Sequence, residues 1–303
     1  MLRPALALVL TFAAVALGPG MQARAFSDDV RIGVRADAPP FSYRDTATGD
    51  YAGFLVDLCR QAIARLGRGV EEHEVDGTSR FDPELGLDVV CDPTTITIDR
   101  ARRMTFSPLV FIANASFITR RAEHAFDPGV FPDTYNVTCD AAATDDPVEI
   151  GVGLLAGTTA ADVFRQARHT NALILPDGST FCSVEIDTHL EGIRHLCAGR
   201  LTHYFGDIDI LRYLVSHRED DCMAELHPTF RTYEPYALVI SSEDSEFARS
   251  FVAAIYQVFA EGEGPTEAVA AYVRHFGDRR MSDALEVLFR MNRIPAGGGD
   301  AGE

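Results

Sequence analysis

CDPTTITIDRARRMTFS, from Cys91 to Ser107, packs threonines, a proline and then arginines into one short span. Two readings compete for it. In the first, Thr97 caps a helix, with Asp99 in its first turn where the positive dipole end favours an acid. In the second, Cys91 to Thr95 lies just beyond the strand Leu87–Val90, and Arg100 follows Thr95 by five residues. Backbone N–H groups, hydroxyls and a guanidinium can converge there on a carboxylate. The span by itself allows both.

On either side of this span, strand-like and helix-like segments alternate. VRIGV (Val30–Val34) reads as a short strand, and Arg35–Tyr43 as a proline-containing loop. Phe54–Leu66 has helical periodicity and stops at Gly67. Val110–Thr119 reads as a long strand, and Arg121–Pro147 as an irregular, chemistry-neutral insertion. A second series follows: a strand within Val148–Leu155, a turn into a helix at AGTTAADVFRQA, a strand at Ala172–Leu175, a helix at Glu191–Ala198 ending at Gly199, a strand at Thr202–Phe205 and a helix at Ile208–Ser216. The strand Tyr236–Ile240 leads to helices at Ser245–Glu261, Pro265–Phe276 and Asp283–Met291. Such alternation predicts an α/β fold of largely parallel sheets. Two series joined by long strands predict two lobes with a cleft between them, the ligand lying beyond the carboxyl ends of strands.

Composition narrows the function. The first residues carry Arg3, an apolar run from Ala5 to Leu17, and Ala23-Arg24-Ala25, the pattern of a cleaved export leader. The apolar run is short for a membrane span. A formal charge of −18 disfavours nucleic acid and anionic lipid as partners. It also obliges any anion site to supply its own local cations. All 27 basic residues are arginine. That excludes Schiff-base lysine chemistry and a P-loop lysine, and it suits bidentate carboxylate binding. Six cysteines in an exported chain suggest disulfides, and no CxxC pair with zinc-ligand spacing is present. The expected pairs are Cys59–Cys91, Cys139–Cys182 and Cys197–Cys222, with one or more pairs staying reduced as the alternative. No metal and no cofactor are expected.

TTITIDRARRMTFS resembles the T-I-T-x-x-R-x-x-x-x-x-F-S signature of periplasmic solute-binding proteins of the amino-acid type, partners of ABC transporters with the type II periplasmic binding fold. Four more segments resemble that family in the same order: IGVRADAPPFSYRD, YAGFLVDLCRQAIARLG, IGVGLLAGTT and AGRLTHYFGDIDIL. Together they run from about Val30 to about Phe276. The resemblance implies an architecture of one lobe at 26–120 and 226–293 and a second at 121–225. These follow a leader at 1–25 and precede a disordered tail at 294–303, with crossings near Arg120–Val148 and Ala224–Tyr233.

The resemblance also implies roles. Arg100 would hold a ligand α-carboxylate, helped by Thr95, with Thr158 and Thr159 supplying the second-lobe turn, and Asp207 would accept from the ligand ammonium. Arg35 and Arg80 stand where glutamate- and aspartate-binding members resemble this chain, so an acidic amino acid or another small acidic solute is one expectation. Ordinary solvated arginines are the other. His189 is expected at the rim. Pro93 and Thr202 depart from the family pattern. Delivery to an ABC permease by a monomeric, periplasmic protein is the implied function. A cyclohexadienyl or arogenate dehydratase-like enzyme and a soluble sensing module are the alternatives. No general acid stands out for an enzyme, since Glu191 and Glu234 read as surface or helix-start residues.

Overall fold

The computed structural model describes residues 29–120, 126–139, 148–170, 181–217, 222, 224–227, 232–260 and 265–293. The expected leader, the strand at Ala172–Leu175 and the tail lie outside them. Strands β1 (Val30–Val34), β2 (Asp37–Ala38), β3 (Ser42–Arg44) and β4 (Tyr51–Ala52) lead into helix α1 (Phe54–Arg65). Next come β5 (Val70–Glu74), β6 (Val89–Thr95), the one-turn helix α2 (Ile98–Ala101), β7 (Thr105–Phe106) and the long β8 (Phe111–Thr119). Then follow β9 (Val137–Cys139), β10 (Ile150–Leu155), α3 (Thr159–Thr170), β11 (Phe181–Ile186), α4 (His189–Cys197), β12 (His203–Asp207) and α5 (Ile208–Ser216). The chain continues through β13 (Glu225–Leu226), β14 (Thr232–Ile240), α6 (Ser245–Phe259), α7 (Glu267–Phe276) and α8 (Asp283–Met291).

Two parallel groups of strands make the lobes. β1 runs parallel to β5 and β6, and β10 runs parallel to β11 and β12. An antiparallel pair, β14 and β8, joins the groups. β8 is long because it serves both: Phe111 to Ala115 pairs with β14, and Ala115 to Thr119 pairs with β12. Every rotation of one lobe against the other must therefore be absorbed near β8 and β14.

The helices form because their apolar positions recur on one face. In α1, Phe54, Leu58 and Ala62, with Leu55, Cys59 and Ile63, are fully buried at four-residue spacing. They pack into a first-lobe core with Phe41, Phe111 and Tyr236. Each such large apolar side chain contributes about 1.5–3 kcal/mol by leaving water. The second lobe buries residues on both sides of its sheet, Tyr204 and Val184 on one and Phe164 and Phe205 on the other.

The three cysteine pairs are bonded as expected, Cys59–Cys91, Cys139–Cys182 and Cys197–Cys222. Cys139 lies directly opposite Cys182 across β9 and β11. This alters the reading of 121–147. Its described part includes a strand, and Phe126 and Phe131 are buried in the second-lobe core. The strand at Leu87–Val90 also extends further than expected, to Thr95. Pro93, which has no N–H to give the ladder, is tolerated because pairing with β14 is irregular there, the register shifting between Ala237 and Val239.

Candidate functional site

The carboxyl ends of the parallel strands meet between the lobes. β1 ends before Arg35 and β6 ends at Thr95 on one side. On the other, β10 ends before the turn Ala156–Thr158, and β12 ends at Asp207, the N-cap of α5. They enclose a small space of about 30 Å³, lined among others by Arg35, Arg80, Thr95, Thr158, Thr159, His189, Asp207, Glu234 and Tyr236. Backbone from the two lobes comes close at two glycines. A Cβ on Gly157 (φ +69°) would lie 2.7 Å from the Gly77 carbonyl oxygen, and one on Gly77 would lie 2.9 Å from that of Ala156. A left-handed φ and a bare backbone both favour glycine at 157.

The helix-cap reading of the opening span holds structurally. The Thr97 hydroxyl accepts from the Arg100 N–H at 3.2 Å and caps α2. The half-buried Arg100 guanidinium turns back and crosses the cleft. Its Nη1 donates to the Thr95 carbonyl at 3.0 Å and to the Thr159 hydroxyl of the other lobe at 3.1 Å, and Nη2 approaches the Gly157 carbonyl at 3.5 Å. The Phe81 ring lies 5.3 Å from it. Thr158 acts on its own turn, donating to the Leu155 carbonyl at 2.7 Å.

Arg35 and Arg80 are buried, at 2% and 3% exposure, which rules out the reading of them as ordinary solvated residues. Each already holds an acid. Arg35 Nε donates to Asp37 Oδ1 at 2.8 Å, and Arg80 pairs with the fully buried Asp92. Asp37 also bridges the lobes, accepting the His189 backbone N–H at 3.0 Å. His189 is likewise buried, with Nδ1 3.1 Å from the Tyr204 hydroxyl, and burial lowers its pKa to about 4. The rim position expected for it is therefore corrected: His189 opens α4, and that helix start packs inward against β12.

Two carboxyl groups face the cleft from opposite lobes. Asp207 Oδ1 caps α5, accepting from the Asp209 and Ile210 N–H groups at 2.7 and 3.0 Å. Its Oδ2 accepts from the Tyr236 hydroxyl of the first lobe at 2.7 Å. Burial, then the nearby Asp209, raises its pKa to about 8. Glu234 was missed as a site residue. It is buried, its Oε2 accepting from the Thr95 hydroxyl at 2.6 Å and its Oε1 from Thr232 at 3.2 Å, and burial raises its pKa. The signal is present in the sequence: Glu234 and Tyr236 share one face of β14 by the two-residue period, and the strand begins at Thr232 rather than at the expected Tyr236.

The raised Asp207 has a consequence for stability. Folded, it keeps its proton up to about pH 8; unfolded, it loses it near pH 3.9. Its contribution is complete below the unfolded value and is lost as pH rises through the folded one, with a slope of at most about 1.4 kcal/mol per pH unit. Thermal melts are expected to show stability falling from about pH 5 to about pH 8, and Asp207→Asn, which keeps the cap, should flatten that fall. An unchanged slope in the variant would assign it elsewhere.

Comparison with known proteins agrees with this architecture. The L-arginine-binding protein of Pseudomonas aeruginosa is 28% identical over 243 residues, covering 77% of this chain and 84% of that protein. An ancestral arginine-binding protein bound to arginine superposes with a TM-score of 0.63 at 20% identity, covering 82% of this chain and 99% of its own. An ancestral amino acid-binding protein described as a precursor of cyclohexadienyl dehydratase gives 0.60 at 20% identity, covering 82% and 96%. At these identities the two structures speak for the fold. With two α/β lobes closing on a shared cleft, and a family match that runs over residues 30–266, the chain belongs to the bacterial extracellular solute-binding proteins, family 3.

Proposed function

We propose that the chain captures a basic amino acid between its lobes and delivers it to an ABC permease outside the cytoplasmic membrane, acting as a monomer. The balance of charge in the cleft carries this reading. Arg35 is matched by Asp37 and Arg80 by Asp92, so neither is a free cation for a ligand side-chain carboxylate. Asp207 and Glu234 then remain as two further acids on the lining of the space, and Arg100 stands beside it, bonded to the lining residues Thr95 and Thr159. The complement is a solute with one carboxylate and two positive groups. Arg100 takes the carboxylate with its planar fork; the ligand ammonium, brought against Asp207, draws down that acid's raised pKa and makes it the ammonium's partner, and Glu234 lies on the side of the second cation. The name of the arginine-binding relative points the same way. Three disulfides suit an oxidising compartment.

The enclosed space of about 30 Å³ is smaller than an amino acid, so capture requires the lobes to part about β8 and β14. Closure then excludes water and strengthens each charge pair. Calorimetry with L-arginine and L-glutamate tests the reading. Arginine is expected to bind stoichiometrically and glutamate at least tenfold more weakly; tighter glutamate would restore the acidic-ligand expectation.

Glu234 favours a second reading as well. A buried carboxyl whose pKa burial raises has the character of the general acid an elimination needs, which is what a dehydratase-like enzyme on this fold would use. Incubation with prephenate is expected to leave its absorbance unchanged. A catalytic loss that disappears in Glu234→Gln would reverse the assignment.

A further inference from the structure

Helix α5 has two working faces. Asp207 and Ile210 line the cleft. Asp209, Arg212, Tyr213 and Ser216, spaced three and four residues apart, line a separate groove of about 380 Å³ on the other side. The first lobe closes this groove with Arg274 and Arg279, at the end of α7 and just beyond it. Among the groove's lining residues three arginines meet a single carboxylate, in a chain with 45 acidic and 27 basic residues. Arg212 and Arg279 share that carboxylate, Asp209, the first at 3.3 Å. Arg274 pairs with Asp57 behind the wall. The three side chains remain 40%, 36% and 59% exposed, in the order Arg212, Arg279, Arg274, and each guanidinium carries five N–H donors, more than its carboxylate partner takes up. Burial and the neighbouring Arg279 also lower the pKa of Arg212, as expected for crowded like charges.

We propose that this groove is a second ligand site, which takes a small free oxyanion of the phosphate type and thereby braces the closed arrangement of the lobes. Arg212 belongs to the second lobe, Arg274 and Arg279 to the first. One anion held by both sides adds a bond across the lobes that exists when they are together. By linkage, whatever favours closure at one site favours binding at the other. The charge of the chain favours a free anion over a lipid headgroup, because a chain of net charge −18 is repelled from an anionic bilayer.

The test uses the whole chain with no amino acid added, so its result is independent of the ligand proposed for the cleft. Melting temperature is followed in rising inorganic phosphate against sodium chloride at equal ionic strength. Phosphate should give a saturable rise of about 2 °C or more beyond chloride. The rise should vanish in Arg212→Gln/Arg274→Gln and persist in Arg249→Gln/Arg290→Gln, which removes the same charge from exposed positions on α6 and α8. Should the first double variant fail to fold, Arg274→Gln alone should raise the half-saturating phosphate concentration at least threefold. Arg100→Gln should keep the rise. Loss of the rise in Arg100→Gln would mean phosphate sits in the cleft and would overturn the groove site. So would an equal rise in Arg212→Gln/Arg274→Gln, an unchanged half-saturation in Arg274→Gln, or no excess over chloride. Phosphatidylglycerol vesicles should not sediment with the protein; co-sedimentation lost in Arg212→Gln/Arg274→Gln would reassign the site to a headgroup.

Discussion

Arg100→Ala is expected to weaken amino-acid binding by at least about thirtyfold, the lower end of what removing a partly buried, hydrogen-bonded charge costs. Two effects add. On the proposed reading, the ligand carboxylate loses its bidentate partner. The lobes lose the bond from Arg100 to the Thr159 hydroxyl, which crosses the cleft. Arg100→Lys separates them, since lysine keeps the charge but not the fork: an intermediate loss would identify the planar geometry as the larger share. Calorimetry on both variants, with circular dichroism to confirm folding, makes the measurement. An affinity equal to the unmodified protein's in Arg100→Ala would remove the residue from the site and with it the present account of carboxylate binding.

Arg80→Ala is expected to act on stability on a comparable scale. Arg80 and Asp92 are 3% and 0% exposed, and Arg80 also donates to the Pro93 carbonyl at 3.2 Å. Removing the guanidinium leaves Asp92 as a charge inside the protein with its partner gone, a loss of about 3–5 kcal/mol. For a chain of this size that corresponds to a drop in melting temperature of roughly 6–15 °C. The rescue is more telling than the loss. Replacing both residues with leucine removes the isolated charge, so Arg80→Leu/Asp92→Leu should recover most of the stability. Thermal or denaturant unfolding of the single and double variants decides it. A double variant no more stable than the single one would show that the pair contributes shape rather than charge balance.

Much of the fold was legible because its signals are local. The helices Ile208–Ser216 and Asp283–Met291 have the bounds their periodicity predicts, and α1 ends within a residue of its expected stop. What stayed hidden depends on partners distant in sequence. β5, VEEHE, is polar enough to read as a loop and is a strand because β1 pairs with it residue for residue. Asp92 lies twelve residues from Arg80, and that pairing makes burial of the arginine tolerable. Glu234 lies 139 residues from the threonine that donates to it. A charged residue is read as solvated until a second chain segment is shown to enclose it, and that enclosure is a property of the assembled lobes. Thr95 and Asp207, legible in the sequence as candidates, do line the space between the lobes, and the pairing of charges around it was not legible.

At Gly77 and Gly157 the nearest atom an added methyl would meet is a backbone carbonyl oxygen of the other lobe, which cannot swing aside as a side chain can. The seam is a mechanical stop, fixing how deep the two halves can seat. A methyl group at either residue would be a shim, holding them slightly ajar. How long a captured solute stays inside can thus be retuned at this seam while every charge that grips the solute is left in place.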